Sequence, residues 1–491
     1  MNSQLVRTLV FTFSFFGILQ YSLAQNTLNW SSPQAVVSGN SYGNLRPRAV
    51  LNGSGQVVVM WGQLGQKTQY SSVRNGNVFT APRRIPPVGM NIFTSDWAGP
   101  DMASSGDTIF IVYKEQPEDT SHVYISRSLD GGLNFQTPVA VDNIADSLSR
   151  FPAVAVKPGG NPVVSFMKFD PMFGDPRYVV TNSSDGGLTF SADVHASVHS
   201  GGEACDCCTA SMLANSKYQV VQYRDNLNNL RNIWAAASTD DGITFTLGVP
   251  IDQTGWIVNA CPSSGPDAVL FGDSLYTVWM SRSSGKSLVY FSGVDLTNGF
   301  LYNLDITGDF AGLSQQNYPR IDKKGDRVAV VWQQNAAGSS QIVVAYSMQG
   351  FSNLFNAYEV VAFEPGTGLS NPDVVLDDYG IHVFWSHFNS GEVRYSYAPF
   401  TATSISESQK TTEHLLAYPV SSGLMIQAAA NEKILQVNLF DLSGRKIKES
   451  RVHNSNKFLF PIDKNVSGLH VLEVYGPGTV QRLRVFLPIS R

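Results

Sequence analysis

The chain has little charge for its length: Asp, Glu, Lys and Arg make up 15% of 491 residues. The 34 basic and 39 acidic side chains leave a formal charge of −5, and no basic cluster with interleaved aromatics occurs. Both facts argue against a nucleic-acid partner. Past Ala24 no apolar run is long enough to cross a bilayer, so no transmembrane segment is expected in the mature chain. Cysteine is scarce, with four residues in all, and no cofactor is expected. What the chain does have is Gly, 42 residues of it, and an aromatic share of 11%. Such a composition is that of a turn-rich β protein rather than a helical one.

One phrase recurs about every 53 residues: a Pro, a short apolar run, a small polar turn, then a β-rich run ending on an aromatic. The copies run Pro47 to Trp61, Pro100 to Tyr113, Pro152 to Phe166, Cys208 to Tyr223 (weakened), Pro266 to Trp279, Pro319 to Trp332 and Pro372 to Trp385. A unit of this length holding four strands fits a β-propeller, whose radial repetition leaves only short edges. The third and fourth strands of a unit flank a tight turn, Ser128-Leu-Asp130-Gly-Gly-Leu-Asn-Phe135, repeated at Ser183 to Phe190 and Ser238 to Phe245. Asp bonds backbone N–H groups two residues on, and Gly supplies positive φ. Asp130, Asp185 and Asp240 are therefore read as structural. The pattern resembles the Asp-box of sialidases and related propellers.

The seventh unit stops after a third strand near Glu392 to Tyr397. Leu28 to Val37, before the first unit, echoes Leu133 to Val141, an outer strand. The N-terminal strand is expected to complete the seventh unit and close the ring. The fold class is therefore all-β: a seven-bladed propeller, with six blades as the alternative, followed by a small β-sandwich.

Four segments follow. Residues 1–24 read as a signal peptide, with Arg7, an apolar core from Leu9 to Leu19, and the small-residue site Ser22-Leu23-Ala24. Residues 25–400 are the propeller. Residues 401–414 are polar and aperiodic, a linker. Residues 415–491 alternate apolar positions between Gly-bearing turns, as a small sandwich does. The Asn-Leu-Phe-Asp-Leu-Ser-Gly-Arg-Lys core from Asn438 and the Ser-Gly-Leu-x-Val-Leu-x-Val strand from Ser467 resemble the C-terminal sorting domain of type IX secretion cargo. His470 stands where that family commonly has Tyr. The resemblance implies the type IX machinery as a partner, and export to the outer-membrane surface or the medium.

The cysteines are clustered. Cys205, Cys207 and Cys208 share one connection between repeats, and Cys261 lies in the next. Both connections belong to one face of a propeller. In an exported chain the first reading is two disulfides, one from Cys261 to the cluster. A thiolate site for Cu(I) or Zn is the second reading, weakened by the lack of His in either stretch. Free thiols are the third.

The same face gathers charge. Inner-strand starts contribute Arg46, Arg48, Asp96, Trp97, Asp101, Arg150, Glu203, Trp256, Arg320 and Asp373. Second-strand ends contribute Lys114, Glu115, Lys168, Arg224, Asp225, Arg282 and His387. Leu45-Arg46-Pro47 takes the place of the sialidase Arg-Ile-Pro motif but lacks its Ile. The resemblance implies that Arg46, Arg224 and Arg282 hold one carboxylate. Asp96, Asp101 and Glu203 are the candidate acids, and Trp97 and Trp256 the candidate sugar-stacking rings. No Tyr and Glu pair of sialidase type is assignable, so catalytic residues stay open. The expected function is recognition of a glycan or glycoconjugate, with exo-α-sialidase-type hydrolysis open. The alternative is a non-catalytic adhesion or protein-binding propeller.

Overall fold

Each repeat folds as one antiparallel sheet. The computed structural model describes residues 28–400, apart from 40, 42, 145–146, 306–313, 337, 352–353 and 355–356. It also describes 416–487, apart from 421–422, 429–432, 442–444, 464–465, 467 and 478. The proposed signal peptide and linker lie outside these residues. Among the described residues there is strand and turn but no helix, hence none long and apolar enough to cross a membrane.

Seven sheets span residues 28–400. Their innermost strands are Asn44–Leu51, Asp101–Ser105, Leu148–Val156, Ser211–Ala214, Asp267–Phe271, Ser314–Lys324 and Leu369–Leu376. The recurrent Pro directly precedes two of them and lies within four, and the fourth sheet's strand starts shortly after Cys208. The seventh sheet takes its outer strand from the other end of the chain: Gln34–Val37 pairs antiparallel with Glu392–Pro399, Gln34 opposite Tyr395. The Leu28 to Val37 echo was the sequence sign of this pairing.

Strand alternation explains how the sheets stack. Along Val57–Gln63, Val58 and Met60 face the second sheet, whereas Val57, Val59 and Trp61 face the seventh. Every sheet repeats this division, so seven apolar cores form, each between consecutive sheets, the last joining the seventh sheet to the first. The repeat's terminal aromatic fills these cores. Trp61, Tyr113, Phe166, Tyr223, Trp279, Trp332 and Trp385 are all fully buried. Burying a side chain of this size contributes about 2–3 kcal/mol each, which is why the position stays aromatic while the turns vary.

The three Asp turns are alike in detail. Asp130 Oδ1 accepts from the backbone N–H of Leu133 and Asn134 and from Ser128 Oγ. Asp185 repeats the arrangement, and Asp240 repeats it except that Ile243 N–H donates to its backbone O. Gly131 N–H donates to Asp107 O, in the turn that ends the second sheet's inner strand. These turns therefore sit at the far end from the recurrent Pro.

Residues 416–487 form two further sheets, of three and four strands. Leu424, Ile426 and Phe460 from one share a core with Val437, Leu439 and Leu472 from the other.

Candidate functional site

The seven inner strands line a cavity of about 390 Å³. Charge concentrates at the end where those strands begin, and the repeat explains why. The residue after the recurrent Pro is Arg48, Asp101, Asp267, Arg320 and Asp373 in five of the units, and all five line the cavity.

The three aspartates stitch neighbouring sheets. Each accepts a hydrogen bond from the backbone N–H one residue further along the next inner strand: Asp101 from Val154 at 3.1 Å, Asp267 from Ile321 at 2.8 Å, Asp373 from Ala49 at 2.7 Å. Arg320 lies between two of them, paired to Asp267 at 3.1 Å and to Asp373 at 2.9 Å. Burial alone would lower the Arg320 pKa, but these two carboxylates outweigh it and raise it. Burial in turn pushes the Asp267 carboxyl up, against the pull of Arg320.

Arg46 and Arg48 lack such partners. Both are buried. Arg46 Nη1 donates to Pro100 O at 2.6 Å, and Arg48 Nη1 to Pro47 O at 2.7 Å. Arg48 Nε is buried with no acceptor. Among the described residues neither forms an ion pair. Burial lowers both pKa values, with mutual repulsion adding at Arg46 and the charge of Arg320 adding at Arg48, which falls to about 10. Asp101 and Asp373 raise both values without outweighing burial, and a buried cation with no direct ion-pair partner is costly. Two of them at one cavity mouth make a place where an anion is stabilised.

The backbone at this mouth is strained. Arg46, Phe151, Tyr318 and Asn371, each directly before the recurrent Pro, have φ of 52°, 52°, 50° and 52°. Each lies in a register shift of its inner strand. A left-handed non-glycine residue costs on the order of 1–3 kcal/mol, and bulges of this kind re-aim side chains beside functional sites. Arg46, Tyr318 and Asn371 line the cavity. Burial and the nearby Asp96 push the Tyr318 phenol up to about 12.

Trp97 also lines the cavity, half-buried, its ring edge-on to Phe151 at 5.2 Å. Asp96 beside it is exposed.

The trio expected to share a carboxylate is not assembled here. Only Arg46 lines the cavity. Arg224 is fully buried, and its guanidinium donates to Ser264 O, Arg231 O and Met280 O. Its long side chain caps carbonyls between two sheets. Arg282 follows the strand Ser274–Ser281 and is exposed, away from the lining. Trp256 is buried, with the Arg224 guanidinium over its ring at 5.3 Å, so that face is occupied. Glu203 is exposed and outside the cavity. Several other rim charges are taken up locally: Arg150 pairs with Glu118, Lys168 with Asp193 and His387 with Glu364. Asp267 and Tyr318 were missed in the sequence, although Pro266-Asp267 repeats the Pro-Asp of the second and seventh units.

Cys205, Cys207 and Cys208 lie just ahead of the cavity-lining residues Thr209 to Met212, and Cys261 ahead of Gly265 to Val269. Cys207 and Cys261 form a disulfide with Cα atoms 5.9 Å apart. Cys205 and Cys208 are buried and unbridged, their Sγ atoms 3.1 Å apart. The Cys205–Cys207 Sγ separation is 3.6 Å. Donation to Cys208 and burial push the Cys205 thiol up. For Cys208, burial is outweighed by that hydrogen bond and by Arg224 and Arg231, so its thiol is held down.

No family model and no curated protein matches the chain. Solved structures align with it, each at a TM-score below 0.5. A protein of unknown function from Dyadobacter fermentans aligns at 16% identity over 66% of this chain and 99% of its own, with a TM-score of 0.46. A polysaccharide lyase of family PL25, an ulvan lyase, aligns at 10% identity over 74% and 94%, with a TM-score of 0.47. The NanB sialidase of Streptococcus pneumoniae aligns at 13% identity over 75% and 70%, with a TM-score of 0.39. No site residue is carried over from them.

Proposed function

We propose that residues 25–400 form a closed seven-bladed propeller whose central mouth binds an acidic group on a glycan. The observation that carries this reading is the Arg46–Arg48 pair: two buried guanidinium groups with carbonyl partners only, one with a free Nε, facing a cavity. A sugar carboxylate or sulfate accepts charge-assisted hydrogen bonds from both and removes their repulsion. Trp97 at the same mouth supplies an apolar ring face for the sugar.

Recognition is favoured over hydrolysis. The cavity aspartates Asp101, Asp267 and Asp373 each have an oxygen committed to a neighbouring strand, and two are tied to Arg320. Tyr318, the phenol at the mouth, is held protonated rather than activated. Glycoside hydrolysis needs a proton donor and a nucleophile or base free to act.

We further propose that residues 1–24 direct export and that residues 415–491, two sheets around one core, form a sandwich that serves as the type IX sorting signal.

The test is a binding panel of matched neutral, carboxylated and sulfated oligosaccharides, read by calorimetry. Acidic members should bind, and Arg48→Met should weaken them about tenfold or more, since a lost charged hydrogen bond costs about 1.5–3 kcal/mol. Equal affinity for neutral and acidic members would remove the reading. Release of free sugar by the wild-type chain would restore the hydrolase alternative.

A further inference from the structure

We propose that Cys205 and Cys208 are a thiolate site for a soft monovalent ion, copper(I). The site is distinct from the Arg46–Arg48 mouth and independent of what binds there.

Placement comes first. Cys205 directly follows the short strand Glu203–Ala204, and its N–H donates to Arg224 O at 2.8 Å. Cys208 N–H donates back to Cys205 O at 3.1 Å, closing a tight turn that turns both sulfurs inward. Tyr178 Oη donates to Cys208 O at 2.6 Å and fixes the turn from the third sheet. The Cys207–Cys261 disulfide ties the same turn to the next connection. Two unbridged thiols are thus held together, fully buried, by bonds that do not involve their sulfurs.

Charge is the second observation. Two buried guanidinium groups belong to the same turn: Arg224, whose O accepts from Cys205 N–H, and Arg231, whose O accepts from Arg224 Nη1. Arg231 is more than nine-tenths buried, and its Nη1 has no acceptor. Asp225 is engaged with Asn232, and among the described residues no ion pair joins Asp225 or Asp252 to either guanidinium. A neutral dithiol or a disulfide leaves the Arg231 guanidinium without a direct anionic partner. A bis-thiolate complex of a monovalent ion carries one negative charge and matches it.

The ligand set selects the ion. Zinc requires four N, S or O ligands. Here only two thiols are unbridged, and neither cysteine stretch contains His. Soft thiolates select copper(I), a d¹⁰ ion satisfied by two sulfurs in line. Binding joins the ion to both sulfurs and releases two protons, with no change of oxidation state. The sulfurs must part so that two metal–sulfur bonds of about 2.3 Å fit between them.

The experiment uses the full exported chain, purified without oxygen or reductant. Thiols are first counted in denaturant, and two are expected. Copper(I) is then titrated as its acetonitrile complex against a competing chelator. A single ion per chain should be retained, with a thiolate-to-metal ultraviolet band, and it should shield both thiols from alkylation in the native wild type. Cys205→Ser and Cys208→Ser should each abolish the band. Arg231→Met should weaken retention about tenfold, as a lost supporting contact does. A count of no thiols would mean that Cys205 and Cys208 are a second disulfide, and would overturn the proposal. So would copper lost wholly to the chelator, or a Cys205→Ser chain that holds as much as wild type.

Discussion

Asp373 Oδ2 accepts the backbone N–H of Ala49 at 2.7 Å, across 324 residues of chain. This bond joins the last inner strand to the first. Asp373 Oδ1 meanwhile holds Arg320 Nε at 2.9 Å, so one side chain links three consecutive sheets. Removing it breaks the seam and leaves a half-buried guanidinium with Asp267 alone. Asp373→Ala should cost about 3–5 kcal/mol, the range for breaking a buried pair. Asp373→Asn keeps an acceptor for Ala49 and should cost less. Urea unfolding of the three chains checks the order. Equal stability of Asp373→Ala and wild type would show that the packing of the seventh sheet on the first does not depend on this bond.

A pH dependence follows from Asp225. Its carboxyl is buried and accepts from Asn232 N–H at 3.0 Å. Burial pushes its pKa up to about 6, against Arg224 and Arg231. The unfolded value is near 3.9. The folded state therefore binds the proton more tightly, and stability is lost as pH rises through the folded value. The contribution, on the order of 2 kcal/mol, should be present below about pH 4 and gone above about pH 6–7. Asp225→Asn should flatten that part of the profile and be the more stable chain at neutral pH. Melting curves across this range decide it, and an unchanged slope in the variant would assign the effect elsewhere.

Deleting residues 415–491 should leave the seven sheets folded. The core of that segment, Leu424 to Val485, is closed within itself. If the segment is the sorting signal, the truncated chain should accumulate in the periplasm with an unchanged melting temperature. Delivery of the truncated chain to the surface would refute the sorting role.

The repeat was legible because burial imposes it. A fully buried aromatic near the end of each second strand, and in six units a Pro just before or within the inner strand, recur wherever the same packing recurs. The closing strand was legible through the echo between Leu28 to Val37 and Leu133 to Val141. Site residues were harder, because strand position does not say where a long side chain ends. Arg224 stands at a second-strand end, as expected, yet its guanidinium turns inward to carbonyls of the neighbouring sheet. Those acceptors are backbone atoms, which carry no sequence signal. Arg320 and Asp373 were visible as rim charges, but only their separation in space makes them a pair. The left-handed residues before Pro left no mark either, since Arg46, Phe151, Tyr318 and Asn371 share no chemistry.

The two tryptophans expected to stack on sugar should part company. Trp97 lines the cavity half-buried and touches Phe93 and Phe151 edge-on, at 6.3 and 5.2 Å between ring centres. Trp256 is 7% exposed and lies against the guanidinium of Arg224. Trp256→Ala should therefore act on the fold: a buried Trp replaced by Ala costs about 3–5 kcal/mol, and binding per folded molecule should not change. Trp97→Ala should act on the ligand, because an aromatic contact contributes about 0.5–1.5 kcal/mol beyond the area it buries. A drop in affinity of roughly threefold to tenfold with little loss of melting temperature is expected. Trp97→Phe should recover part of it, whereas Arg48→Met should not be rescued by any ring at position 97. The measurement is a melting temperature and a dissociation constant for each variant against the same acidic oligosaccharide. If Trp256→Ala loses affinity at full stability while Trp97→Ala keeps it, the ligand lies over the cysteine-bearing connections and not at the cavity mouth.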